Sequence, residues 1–205
     1  MDKIKILCII GASGSGKTTV EKTLSECWPN VFSRIISHTT RPMREGEHNG
    51  DEHIFNLQSY GQSIVEKHAE GLLASTKYGA HYYWAEVADL VGNKVNTYVI
   101  DVEGYHDLMH KWGDKYDILV LYVKRANRGD IDKKRMERDE GRQQLSPDEI
   151  DFVFSNNSDN FGCFYPTLQT LTPLIVSAFM LLHLTNNKVD DIIKQTKLFD
   201  KILGE

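Results

Sequence analysis

Residues 9–20 read IIGASGSGKTTV, continuing the apolar run KIKILCII at 3–10. Gly11 to Thr18 fit G-x-x-x-x-G-K-[ST] in full. The run before them reads as a buried strand, and GKTTVEKTLSEC after them has helical propensity that Trp28-Pro29-Asn30 ends. Strand, glycine loop and helix in that order are the context this motif needs. Glycines let successive backbone N–H groups turn inward as an anion nest, and the start of the helix adds the positive end of its dipole. The loop Gly11, Ala12, Ser13, Gly14, Ser15, Gly16, Lys17, Thr18 and Thr19 is therefore expected to hold a nucleoside triphosphate, with ATP the expected donor. Lys17 is placed to reach the β- and γ-phosphates, and Thr18 is the expected ligand of Mg²⁺. The competing reading, a flexible glycine turn with a chance lysine, does not account for the complete motif in this setting.

Outward from the loop, VFSRII (31–36), HIFNL (53–57), GLLAST (71–76), NTYVID (96–101), ILVLYV (118–123) and DFVFS (151–155) read as strands. Polar helical segments fall near 58–70, 104–112 and 130–144. Strands alternating with helices predict an α/β fold with a mostly parallel sheet flanked by helices. The chain has 205 residues and is 40% hydrophobic, enough for one good core and short for two, so one domain with insertions over 1–205 is expected. No linker or repeat divides it.

The net charge of −5 comes from interleaved acidic and basic residues, so no global field favours nucleic acid or an anionic membrane. Cys8, Cys27 and Cys163 are odd in number and lack CxxC spacing, which suits reduced thiols in a cytoplasmic protein. Five apolar residues before Gly11 are too few for a secretory leader. The run LTPLIVSAFMLLHL at 171–184 falls short of a membrane span, contains Pro173, and is expected as a buried helix. Further helix is expected to the C-terminus, where Val189, Ile192, Ile193, Phe199, Ile202 and Leu203 share one face.

The glycine loop alone does not separate a GTPase, a motor and a small-molecule kinase. A second motif does. SHTTRPMREGEHNG at 37–50 sets Arg41 and Arg44 three apart in a segment that proline and glycine make irregular, so both guanidinium forks can converge on one phosphate. Charge count alone reads the segment as a solvated basic loop.

The segment matches every fixed position of S-x-T-T-R-x-x-R-x-G-E-x-x-G, and with the glycine loop it resembles the guanylate kinase family of P-loop nucleoside monophosphate kinases. The resemblance continues through AHYYWA (80–85), YVIDVEG (98–104), an arginine-rich lid near 124–142 and DFVFSNNSD (151–159), and covers roughly residues 4–160. It implies transfer of the γ-phosphoryl of ATP to GMP or dGMP with Mg²⁺, by a monomer or homodimer. It implies an acceptor segment over about 37–92, with Ser37, Arg41, Arg44, His53 and Tyr83 on the acceptor phosphate, and Asp101 facing base and metal. A competing reading has Asp101 cap the helix ahead of Gly104. In the lid, Arg128, Arg135 and Arg138 are implied as catalytic, in a register where KRANRGD (124–130) turns back into the helix; in the other register that helix precedes a lid at 138–142. A solvated helix face is the alternative for these arginines.

Three positions depart from the family's pattern. His53 stands for a tyrosine. Ala74, nine residues before Tyr83, stands for a base-reading glutamate, and an alanine cannot accept from guanine N–H groups. Trp84-Ala85 replaces a small hydroxyl-bearing pair, with an aromatic face whose stacking could partly substitute for hydrogen bonds. Two other functions fit the same motifs: the fold with another acceptor, a ribose bisphosphate or other deoxynucleotide, and a non-catalytic guanylate-kinase-like interaction module. The intact Lys17 and Thr18 argue against the latter.

Overall fold

A computed structural model describes residues 3–67, 69–125, 144–156 and 161–185. Five parallel strands form the central sheet: β1 (Lys5–Ile10), β2 (Phe32–Ile35), β7 (Val95–Val99), β8 (Asp117–Lys124) and β9 (Phe152–Ser155), in the order β2-β7-β1-β8-β9. The mostly parallel α/β expectation is met. Such strands are covered on both faces, which is why β1 reads as an unbroken apolar run with Ile6, Leu7, Cys8 and Ile9 fully buried.

One face packs on α1 (Lys17–Cys27) and on α4 (Phe161–Thr185), the other on α3 (Val102–Trp112). In α1, Val20 and Leu24 lie a turn apart on the core side. In α4, Phe164, Leu168, Leu171, Ile175, Ala178, Phe179 and Leu182 form a stripe at helical spacing against the same core, where the Phe164 ring meets Phe154 edge-on at 5.3 Å. The helix is longer than the apolar run that announced it. Its stretch Phe164–Leu182 has the length and composition to cross a membrane, yet it presents this stripe to the sheet. Pro166 and Pro173 both lie inside it.

A second sheet of four strands carries the 37–92 segment, in the order β4-β3-β6-β5: β3 (His38–Thr39), β4 (Ile54–Phe55), β5 (Leu72–Tyr78) and β6 (His81–Glu86). Between β4 and β5, α2 (Gln58–Lys67) covers β6. Two of these strands escape the sequence pattern. β3 is two residues long, and β6 was legible only as an aromatic cluster because Tyr82, Tyr83 and Trp84 give no polar–apolar alternation. β5 and β6 nevertheless form an antiparallel hairpin about Gly79, which takes φ +57°.

Candidate functional site

β1 and β7 end side by side at a cavity of about 220 Å³. Ligand crevices lie at the carboxyl ends of parallel strands, where the first helix N-termini also point. Gly11, Ser13 and Lys17 line one part, Ser37, Arg41, Arg44, His53 and Tyr83 another, and Ala74, Ser75, Thr76 and Tyr78 of β5 a third. Tyr98 to Asp101 and Gly104 form the remaining wall.

The loop after β1 needs its glycines. Gly11, Gly14 and Gly16 have φ of +155°, +71° and +98°, where side chains are strained. A Cβ on Gly11 would run into the Val123 carbonyl, and one on Gly16 into the Asn156 amide. Asn156, at the end of β9, donates to the Ser15 carbonyl at 2.8 Å and props the loop from below. It lies in the SNNSD stretch, which carries no charge pattern to mark that role. The Lys17 ammonium folds back over the loop, 2.8 Å from the Gly11 carbonyl and 2.9 Å from that of Ala12. Thr18 and Thr19 follow in the first turn of α1, and Ser15 is buried beneath. The loop thus offers backbone donors, a helix N-terminus, one ammonium and a threonine hydroxyl, a donor set that fits a triphosphate with Mg²⁺.

Across the cavity, Arg41 is held by Glu47 in a two-pronged pair, Nη1–Oε2 2.6 Å and Nη2–Oε1 2.7 Å, with its guanidinium 5.1 Å over the Phe55 ring. The same carboxylate accepts the Arg44 backbone N–H at 2.8 Å. The Arg41 hydrogen bond, partly opposed by burial, holds the Glu47 carboxyl down to about 2. Nothing in the sequence beyond the fixed Glu of the motif signalled this brace. His53 lies 2.8 Å through Nδ1 from Ser37 Oγ and edge-on to Tyr83 at 5.9 Å. Burial first, and then the Arg41 charge, push its imidazole down to about 4.

Asp101 lines the cavity and caps α3, its Oδ1 accepting the Gly104 N–H at 2.9 Å. Thr76 pairs with Tyr83 and Ala74 with Ala85 across the hairpin, so these four share the cavity face of the sheet. Trp84 does not. Alternation on β6 turns it to the opposite face, where it is fully buried, stacks on His38 at 5.1 Å and lies under α2. It offers no stacking face to a base. Thr76, two residues along β5 from Ala74 on the same face, brings a hydroxyl to this wall, whereas Ser75 pairs with Trp84 and turns its side chain to the other face. Arg128, Arg135 and Arg138, and with them nearly all of the lid, lie outside the described residues.

The sequence profile of the guanylate kinase family matches residues 3–161. Among curated relatives, the guanylate kinase of Helicobacter hepaticus is 35% identical over 119 residues, 56% of this chain and 58% of its own length. That of Campylobacter jejuni (strain RM1221) is 28% identical over 138 residues, covering 65% of each chain. That of Legionella pneumophila (strain Paris) is 32% identical over 122 residues, covering 56% of each. The chain thus spans between about half and two thirds of the length of these relatives. In solved structures, the crystal structure of guanylate kinase from Anaplasma phagocytophilum superposes with a TM-score of 0.60 at 15% identity, covering 87% of this chain and 88% of that one, a likeness of fold.

Proposed function

The chain belongs to the guanylate kinase family, and on that premise we propose that it moves the γ-phosphoryl of ATP to the phosphate of GMP or dGMP. The observation that carries this reading is the shared cavity: the phosphate loop and the Ser37–Arg41–Arg44–Tyr83 group open onto the same space. An acceptor phosphate needs no strong base. Transfer rests on placing two anions in line and offsetting the charge between them.

In this reading the backbone of Gly11 to Thr19 grips the triphosphate, and Lys17 exchanges the two loop carbonyls for β- and γ-oxygens. Thr18 would hold Mg²⁺, which when bound would supply positive charge to offset that of the phosphates. Arg44 and Tyr83 bind the acceptor phosphate beside Arg41, which Glu47 keeps in one orientation. Asp101 and Thr76 face the acceptor's base end and supply a carboxylate and a hydroxyl there in place of a carboxylate at 74. Arg128, Arg135 and Arg138, which lie outside the described residues, would offset charge on the transferring group. The protein works in the cytoplasm on small nucleotides, as a monomer or homodimer.

A coupled assay of the purified protein tests this with ATP, Mg²⁺ and a panel of GMP, dGMP, AMP, CMP, UMP and ribose bisphosphate. GMP and dGMP are the expected acceptors. Turnover of ribose bisphosphate alone moves the protein to a different acceptor on the same fold, and no turnover of any acceptor removes the kinase reading.

A further inference from the structure

A phosphate monoester brings a charge of about −1.5 to −2 to its site near neutral pH. The groups waiting for it are one charge short. Arg41 and Arg44 carry two positive charges, but Glu47 lies 2.6 Å from Arg41 and 3.8 Å from Arg44, leaving a formal +1 across the three. Of the other charges nearby, the Lys17 ammonium lines the same cavity but is held on the phosphate loop by the Gly11 and Ala12 carbonyls, and the rest are acidic or paired. Asp51 is paired with Lys22 at 2.7 Å, Glu52 is exposed and negative, and Asp101 stands on the far wall. Tyr83 from β6 and Phe55 from β4 bring no formal charge. The group that can change is His53, set among these residues and lining the cavity with its Nδ1 on Ser37 Oγ.

We propose that the acceptor nucleotide binds together with a proton, taken from solvent by His53, so that the imidazole is neutral in the free protein and an imidazolium beneath the acceptor phosphate. In the imidazolium both ring nitrogens donate. Nδ1–H then donates to Ser37 Oγ, 2.8 Å away, so the Ser37 hydroxyl proton does not engage the ring. One proton thereby supplies a charge and leaves the hydroxyl able to donate elsewhere.

The sign of the coupling follows from the surroundings. Burial and Arg41 hold the ring's value near 4, while Glu47 and the Ser37 backbone act in the other direction. A dianion placed against the ring opposes the first two and adds to the second two. By linkage, affinity for the acceptor rises as pH falls toward the acceptor's own second ionisation at about 6. This inference rests on the GMP reading above and adds to it the protonation state of the site.

Titration calorimetry of the full chain with GMP, at about pH 7.5 where the nucleotide is a dianion, in buffers of different ionisation enthalpy, counts the protons taken up. The parent protein is expected to take up a clear fraction of a proton, and the His53→Gln variant none. Between the nucleotide's own ionisation at about 6 and the bound-state value of His53 the parent's Kd should rise by up to tenfold per pH unit and then level off, and the variant's should stay flat over that range. Equal proton counts in the two proteins overturn the role of His53 and leave the kinase reading standing. No binding of GMP to the parent overturns both. If the variant binds no GMP, the parent's His53 ring signals in NMR decide: movement to the imidazolium position on adding GMP supports the inference, and unmoved signals overturn it.

Discussion

Lys17 spends its hydrogen bonds on the Gly11 and Ala12 carbonyls, at 2.8 and 2.9 Å, so its charge already sits over the nest that a triphosphate would fill. Lys17→Ala should lower kcat by about 10²-fold or more, the scale of losing one preorganised donor to developing charge. Steady-state kinetics with saturating GMP reads this, and near-normal turnover would remove Lys17 from the reaction. Glu47 makes a prediction about acid. Its carboxyl is held from an ordinary 4.5 down to about 2, so the stability it contributes is present above 4.5 and lost as pH falls toward 2. Urea midpoints across that window should fall more steeply for the parent than for Glu47→Gln, and parallel slopes would count against the brace. Both residues belong to motifs readable in the sequence, but their partners were not: a glutamate six positions from its arginine reads as a neighbour in a loop until the turn is known.

At the scale of elements, α2 comes so close to the second sheet that Gly61 leaves no room for a side chain. A Cβ there would collide with Thr40 Cγ2 and come within 3.0 Å of the Trp84 ring. Gly61→Ala should therefore push α2 from β6 and destabilise the protein by about 1–3 kcal/mol. Thr40→Ser removes the obstructing methyl and keeps the hydroxyl that accepts the Tyr82 N–H at 2.9 Å. The double variant should recover part of the loss, a coupling that thermal melts of the four proteins measure. Additive effects would place the strain elsewhere. This contact also explains why Trp84 was misplaced from sequence. A neighbouring tyrosine in the cavity suggests that the tryptophan joins it, yet adjacent residues of a strand point to opposite faces.

Over the whole molecule, one ionic cluster joins the phosphate-loop helix to the acceptor segment. Arg34 of β2 donates to Glu21 of α1 at 3.1 Å and to the Asp51 carbonyl at 2.6 Å, while Lys22 reaches the Asp51 carboxylate at 2.7 Å. Glu21 is buried, its Oε1 has no partner among the described residues, and desolvation raises its value from 4.5 to about 7 against the pull of Arg34. A raised carboxyl favours the fold while protonated, so its contribution declines as pH rises from 4.5 through 7. Arg34→Met removes the partner and should cost about 3–5 kcal/mol, the scale for stranding one member of a buried pair. The Tm deficit should widen as pH rises, and a deficit independent of pH would exclude Glu21 as its source. Sequence by itself determined the phosphate loop, the parallel core and the acceptor motif, because each is written locally: a glycine spacing, apolar runs and a fixed string of arginines. Only the tertiary structure decided that Glu47 braces Arg41, that Asn156 props the loop, that Trp84 turns from the cavity and that His53 lies against Ser37. Those are contacts between segments distant along the chain or around a turn, and residue order does not carry the direction in which a side chain points.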